Sequence, residues 1–266
     1  MESMCKTIAV ANQKGGTAKS TTAVNLGIGL AKTGKRVLLI DCDSQGSLTA
    51  SLGFAEPDEL DVTLPTIIGK IINDEAFDKH LGVLSHPEGV DLMPCNIELA
   101  GIEQSLVNVM RREYILKQYI DMVADDYDYI ICDCMPSLGM MTINALTAVE
   151  SVLIPVTPAY LPTKGLEQLI VTIGKVKKFL NPKIQIEGVL FTMVDARTNF
   201  SKEIMQMLRV TYGENIRFFT EEIPKSVRAE EASAEGISIY KHDYSGKVAK
   251  AYESLVKEVM IDEQCR

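Results

Sequence analysis

A chain of 266 residues with 46% hydrophobic and 24% charged side chains has an ordinary globular composition, which excludes the disordered, collagenous and coiled-coil classes. Its 27 basic and 36 acidic residues give a formal charge of −9, so a strongly basic nucleic-acid binder is excluded as a description of the whole chain, though a local patch is not. Eleven of the basic and 12 of the acidic residues lie from Arg197 onward, so the C-terminal third is nearly neutral and is the better place to seek an anionic partner.

In chain order, short apolar runs bounded by turn or charge signals predict strands over 7–11, 36–41, 90–93, 129–132, 152–156 and 188–193. Helical spacing predicts helices over 19–32, 63–72, 111–123, 142–149, 164–179, 202–210 and 247–259. Strands alternating with helices imply an α/β fold: a mostly parallel, twisted sheet with helices on both faces. No repeat, low-complexity tract or long Gly/Ser/Pro linker divides the chain, so 1–266 reads as a single domain with 53–87 a more loosely ordered excursion. No apolar run reaches the roughly 18 residues that a membrane span requires, and residues 1–6 are a short polar lead, so a cytoplasmic protein is expected. The six cysteines include no C-x-x-C pair, and His80, His86 and His242 have no ligand spacing, which argues against a zinc-type site. Cys42, Cys132 and Cys134 lie in apolar runs and read as small hydrophobes in a reducing compartment.

The first strand leads into Gln13-Lys14-Gly15-Gly16-Thr17-Ala18-Lys19-Ser20-Thr21-Thr22, followed by an apolar-periodic helix. Glycines there let backbone N–H groups turn toward an oxyanion, and the helix start adds about half a positive charge. Lys19 is placed to reach β- and γ-phosphates, and Ser20 to ligate magnesium. The standard phosphate-loop pattern needs glycine at 13 and 18, where this chain has Gln13 and Ala18. At the end of the second strand, Asp41 and Asp43 point the same way because strand residues alternate, toward the carboxyl edge where α/β proteins bind ligands. A third apolar strand ends in Asp133 and the turn Cys134-Met135-Pro136-Ser137-Leu138-Gly139, the form of a Walker B element.

The form x-K-G-G-x-x-K-[ST] resembles the deviant phosphate loop of the ParA/MinD group of partitioning and positioning ATPases. Asp41-Cys42-Asp43-Ser44-Gln45-Gly46 resembles that group's D-x-D-P-Q-G, with Ser44 for the usual proline, and 133–139 resembles its D-x-P-P-S-L-G, with Met135 for one proline. Gly188 to Asn199 is similar to its G-V-L-x-T-M-x-D-x-R-T-N segment, and Ile223 to Ala232 to its I-P-R-N-V-R-x-x-E-A segment, so the likeness spans nearly the whole chain. The resemblance implies ATP and Mg2+ as cofactors, bound by Lys14, Gly15, Gly16, Thr17, Ala18, Lys19, Ser20 and Thr21, with Pro224 beside adenine. It implies Ser20, Asp41 and Asp133 around magnesium, the two carboxylates acting through water. The implied catalytic residues are Lys14, which crosses to the other subunit of an ATP-sandwich homodimer, Lys19, and Asp43, which orients the attacking water. Arg197 and Arg228 match arginines that contact non-specific double-stranded DNA in partitioning members, and a ParB-like centromere-binding protein is the implied stimulating partner in a nucleoid-associated system. Lys225 to Arg228 also fits a plain solvated loop.

The alternative on the same scaffold is a MinD-like positioning ATPase, which calls for a basic amphipathic tail; residues 259–266 are short and acidic, so no membrane partner is expected. A dinucleotide-dependent dehydrogenase would want G-x-G-x-x-G after the first strand, which is absent. Only about a dozen residues precede the phosphate loop, so a helix-turn-helix repressor domain is not expected here.

Overall fold

The computed structural model describes residues 5–158, 162–195 and 197–264, except for the side chains of 162–164 and 262–264. The polar lead at 1–4 and the last two residues of the acidic tail, Cys265 and Arg266, lie outside the described residues.

The four strands β1 (Lys6–Val10), β2 (Val37–Cys42), β5 (Tyr129–Cys134) and β6 (Ser151–Val156) are buried along their whole length, as continuous apolar runs demand when both sheet faces are covered. With β3 (Leu84–Ser85), β4 (Asp91–Met93) and β7 (Gln185–Phe191) they form one sheet in the order β3-β4-β2-β5-β1-β6-β7. All neighbours are parallel except β3, which runs antiparallel to β4 at the edge. This is the mostly parallel α/β sheet that the periodicity predicts.

Strand alternation sorts the core into two layers. In β1, Ile8 and Val10 join one layer and Ala9 and Ala11 the other. The first layer packs under α1 (Lys19–Lys32), α2 (Ser47–Ser51), α9 (Val227–Ala234), α10 (Ile239–His242) and α11 (Lys247–Gln264). The second packs under α3 (Leu64–Ile72), α4 (Leu99–Ser105), α5 (Ile115–Val123), α6 (Met140–Ala148), α7 (Pro162–Phe179) and α8 (Asn199–Tyr212). Val37 and Leu39 of β2, and Tyr129 and Ile131 of β5, belong to the α1 layer. The two-residue period therefore brings Asp41 and Asp133 to the same side as α1.

The predicted helix over 111–123 begins later, because Arg111 sits in the left-handed region and a short 3-10 turn intervenes before Ile115. The 53–87 stretch is more structured than expected: Leu64, Ile67 and Ile68 of α3 are buried, and β3 closes the sheet edge. Among the described residues no helix is long and apolar enough to cross a membrane.

One buried ion pair ties the first strand to the far side of the sheet. Lys6 Nζ lies 2.7 Å from Glu187 Oε1 of β7 and donates to the Val259 carbonyl of α11 at 3.2 Å, with both side chains almost fully buried. Removing one partner of a buried pair leaves the other charge less compensated, so Lys6→Met should destabilise the chain by about 3 kcal/mol while Lys6→Met with Glu187→Leu recovers part of that loss. Urea unfolding of the two variants measures the difference.

Candidate nucleotide site

The residues after β1 form a loop braced from both ends. Asn12 is buried; its Nδ2 donates to the Pro155 carbonyl at the end of β6 (2.6 Å), and its Oδ1 accepts from the Lys14 N–H at 3.0 Å. Gly16 (φ 68°) and Ala18 (φ 58°) are both left-handed, and such a residue set against right-handed neighbours makes successive N–H groups converge on one point, a concavity for an anion. Ala18 stands where the standard pattern has glycine, and holds that conformation at a cost of roughly 1 kcal/mol. Thr17 is locked to β7 through its carbonyl, which accepts from Thr192 Oγ1 at 3.0 Å.

Helix α1 starts at Lys19, which is only 8% exposed and donates to the Lys14 carbonyl at 3.5 Å, so its ammonium is held over the loop. Ser20 and Thr21 follow in the first turn, half-buried, and the Lys14 residue is exposed. Gly15 faces the Pro136 turn, since a Cβ built on it would lie 3.9 Å from the proline Cβ.

Three carboxylates stand beside this loop. Asp41 and Asp133 are register partners on β2 and β5, both fully buried. Burial raises both pKa values; at Asp41 the Thr49 and Asp43 hydrogen bonds oppose the rise and the Asp43 charge adds to it, and at Asp133 the Asp41 charge adds to it while the Ser20 hydroxyl and Lys19 pull the other way. The two differ in partners. Asp41 Oδ1 accepts from the Asp43 N–H (3.1 Å), and its Oδ2 accepts from Thr49 N–H (2.9 Å) and Thr49 Oγ1 (2.8 Å), which leaves about one acceptor position of four free. Both oxygens of Asp133, by contrast, are buried and accept no hydrogen bond. Asp43, nearly buried at the strand tip, accepts from the Gln45 N–H at 3.0 Å, and Gly46 N–H closes the turn on the Asp43 carbonyl at 2.9 Å. That turn is complete with Ser44 in place of the usual proline. The Met135 turn is closed as well, by Ser137 N–H to the Met135 carbonyl at 2.8 Å.

An orphaned buried carboxylate beside a serine hydroxyl and a helix N-terminus fits a hard cation shared with phosphate oxygens. Magnesium is commonly held by one or two carboxylates plus substrate phosphates, and among the described residues no group of three His, Cys, Asp or Glu could hold a metal unaided. Ser20 and Asp133 have the uncommitted oxygens that fit such an ion, whereas Asp41 is mostly occupied by Thr49 and Asp43.

The C-terminal candidates fall at the same edge of the sheet. Val194 and Pro224 form a parallel bridge, with Val194 N–H to the Ile223 carbonyl at 3.0 Å and Lys225 N–H to the Val194 carbonyl at 3.1 Å. Pro224 is thereby joined to the strand end whose Thr192 holds the phosphate loop. Arg197 is 89% exposed and forms a two-pronged ion pair with Asp195, Nε to Oδ1 and a terminal nitrogen to Oδ2 at 3.0 Å each. The guanidinium brings the Asp195 carboxyl down to about 2. Arg228, 62% exposed near the start of α9, lies 3.9 Å from Glu231, which also meets His242 at 3.2 Å. Both arginines are therefore on the surface, on segments stitched together by the Val194–Pro224 bridge.

The sequence offers no signal for Thr49, inside α2, and for Asn12 only a polar residue just after a strand. A cavity of about 860 Å3 opens instead near Cys5, Arg36, Asp128 and Glu150 around the opposite, amino-terminal strand ends, away from the phosphate loop.

A phosphate-cradling loop between a central parallel strand and a helix, flanked by two acidic strand tips, defines a phosphate-loop nucleotide-binding protein. An AAA domain family matches residues 5–186. The sporulation initiation inhibitor protein Soj of Bacillus subtilis is 43% identical over 256 residues, covering 96% of this chain and 98% of that protein. The chromosome partitioning protein ParA of Caulobacter vibrioides is 35% identical over 263 residues, covering 98% and 96%. Among solved structures, cobyrinic acid a,c-diamide synthase from Mycobacterium smegmatis with bound ADP and magnesium superposes with a TM-score of 0.85 at 33% identity, over 98% of this chain and 96% of that one. The chain belongs to the ParA/Soj family of chromosome-partitioning ATPases.

The raised carboxyls have a consequence for stability. Between the ordinary carboxylate range near pH 4 and the raised folded values, the folded state holds protons that the unfolded chain has released, so stability falls as pH rises. Without nucleotide and magnesium, the melting temperature should drop from pH 5.5 to pH 8.5. Asp133→Asn should flatten that slope and raise the melting temperature at pH 8.5; an unchanged slope would count against the carboxylate pair as its source.

Proposed function

We propose that this ATPase binds ATP with Mg2+ at the 14–21 loop, closes into a sandwich homodimer, binds DNA without sequence preference, and hydrolyses ATP when a ParB-like partner stimulates it, so as to segregate DNA. The observations that carry the reading are the left-handed Gly16 and Ala18 of the loop, buried Lys19 bonded across it, and a buried Asp133 without a partner beside Lys19 and Ser20. The Mycobacterium structure named for bound ADP and magnesium supports the choice of ligand, and the partitioning relatives support the role. That structure bears the name of a diamide synthase, so the scaffold by itself does not select the biological task.

Phosphoryl transfer has a loose transition state and asks for orientation and charge neutralisation more than covalent chemistry. The loop N–H groups and Lys19 would bind and neutralise the phosphates, and Ser20 and Asp133 would hold the metal. The chemistry that magnesium would supply there is charge neutralisation beside the phosphates. Asp43, at a strand tip with a backbone-braced carboxylate, would orient the attacking water. Lys14 is exposed on the loop while Lys19 already serves the site, which leaves Lys14 available to a second subunit's phosphates.

Phosphate release with Mg2+, with and without duplex DNA, tests the reading. Lys19→Ala should reduce turnover at least 100-fold, in line with loss of preorganised charge stabilisation. Lys14→Ala should keep nucleotide binding yet sediment as a monomer with ATP; an ATP-dependent dimer of that variant would remove the cross-subunit role.

For DNA, affinity follows the few cations that touch phosphate, not net charge, which is how a chain of −9 could bind it. Arg197→Ala and Arg228→Ala should each weaken retention on arbitrary duplex and lower the slope of log affinity against log salt by about 1. Equal retention at fixed salt would take these arginines out of the DNA surface.

A further inference from the structure

The water-orienting carboxylate proposed at Asp43 inherits its place from Asp41, and Asp41 inherits its own from a residue that no sequence motif singled out. Thr49 is fully buried in α2. Its hydroxyl and its N–H both donate to Asp41 Oδ2, at 2.8 and 2.9 Å, and the same hydroxyl oxygen accepts from the Cys95 N–H at 3.1 Å. The direction of the Cys95 bond is fixed, because a backbone N–H can only donate, so the Thr49 oxygen accepts there and keeps its own hydrogen for Asp41 Oδ2. Only a hydroxyl satisfies both partners at once.

Cys95 directly follows β4 and Pro94, so this oxygen links the end of β4, the start of α2 and the tip of β2. The turn between them is packed without slack: Gly46 is left-handed (φ 60°), and a Cβ there would sit 3.0 Å from the Cys95 carbonyl oxygen. On its other oxygen, Asp41 receives the Asp43 N–H at 3.1 Å. The Asp43 backbone thus hangs on the Asp41 carboxylate, and the orientation of that carboxylate hangs on Thr49.

We infer that Thr49 is the positioning residue of this site, clamping Asp41 so that Asp43 and the shared carboxylate edge facing Asp133 keep one geometry. The inference rests on the ATPase reading for its kinetic consequence but not for its structural one. Outer-shell partners of this kind alter activity by roughly 10- to 100-fold when removed, while leaving the ligand's main contacts in place.

The test compares the full-length protein with Thr49→Val, which keeps the shape and loses the hydroxyl, and with Thr49→Ser, which keeps the hydroxyl. Expected for Thr49→Val are an affinity for ATP within about threefold of wild type and a kcat at saturating Mg·ATP lowered about 10-fold or more, with Thr49→Ser restoring most of it. A merely structural threonine would lower the melting temperature in both variants and leave kcat alone, and a folded Thr49→Val with kcat within twofold of wild type overturns the inference. Should Thr49→Val not fold, Thr49→Cys, whose thiol is a weak donor, must show the same loss of kcat; a wild-type kcat there overturns it equally. Amide hydrogen exchange in the nucleotide-free proteins separates this from the ATPase reading. The Asp43 and Gln45 amides should exchange about 10-fold faster in the hydroxyl-free variant whether or not wild type hydrolyses ATP, and unchanged exchange also overturns the positioning role.

Discussion

The site is organised by a conflict: two carboxylates, Asp41 and Asp133, are buried side by side at the tips of adjacent strands. Burial and like charge both oppose ionisation, and apolar packing cannot relieve either effect. Relief has to come from positive charge at that edge, and the fold puts all its local sources there: the ammonium of Lys19, the amino-terminal end of α1 and the turned N–H groups of the loop. These sources are incomplete, since neither Asp133 oxygen has a partner at full hydrogen-bond geometry even with the Ser20 hydroxyl and Lys19 close by. The vicinity of the loop is therefore paired for a ligand that brings a cation and anions together, which is the chemistry of a metal nucleotide.

The same kind of bond recurs at the ends of β1, β2 and β7. Asn12 accepts from Lys14, Asp41 from Asp43, Asp43 from Gln45, and Asp195 from Arg197, each an Asx turn in which a short polar side chain takes the N–H two residues on. A parallel strand leaves unpaired backbone groups where it stops, and these turns satisfy them while bending the chain sharply away. Backbone geometry at the carboxyl edge is consequently fixed before any ligand arrives. That explains why Ser44 and Met135 stand in place of prolines without opening the turns: the closing bonds come from Asp43 and from the Met135 carbonyl, not from the ring of a proline.

Much of this was legible in the sequence because β2, β5 and β6 are buried on both faces, and such strands are unbroken apolar runs. Helix α1 is recovered to the residue, its start marked by the loop and its end by Thr33-Gly34. What the sequence concealed is short or depends on distant partners. The two-residue β3 has no period to detect, and α9 and α10 are too short and polar for apolar spacing to reveal. Thr49 looks like any helical threonine until Asp41 and Cys95 are brought around it from 8 and 46 residues away. Among the site residues, Lys19 and the three aspartates were readable from type and spacing, whereas the difference between a braced Asp41 and an orphaned Asp133 exists only in three dimensions.

The surface arginines show the opposite economy. Arg197 is chelated by Asp195, and Arg228 shares Glu231 with His242, so each cation is presented with an acidic neighbour already beside it. Exposed ion pairs of this type are worth little, because water and salt screen them. A polyanion could therefore displace Asp195 from Arg197 cheaply, gaining counterion release while the carboxylate turns to solvent. A single subunit offers few such exchanges on a chain of net charge −9, and repulsion from the remaining carboxylates works against them. Joining two subunits doubles the exchanges on one duplex without adding a contact to either, and the gain from linking sites multiplies where the single-site affinity is weak. Were the proposed dimer to form, two lightly restrained arginines per subunit would favour DNA binding by the assembly over binding by the monomer.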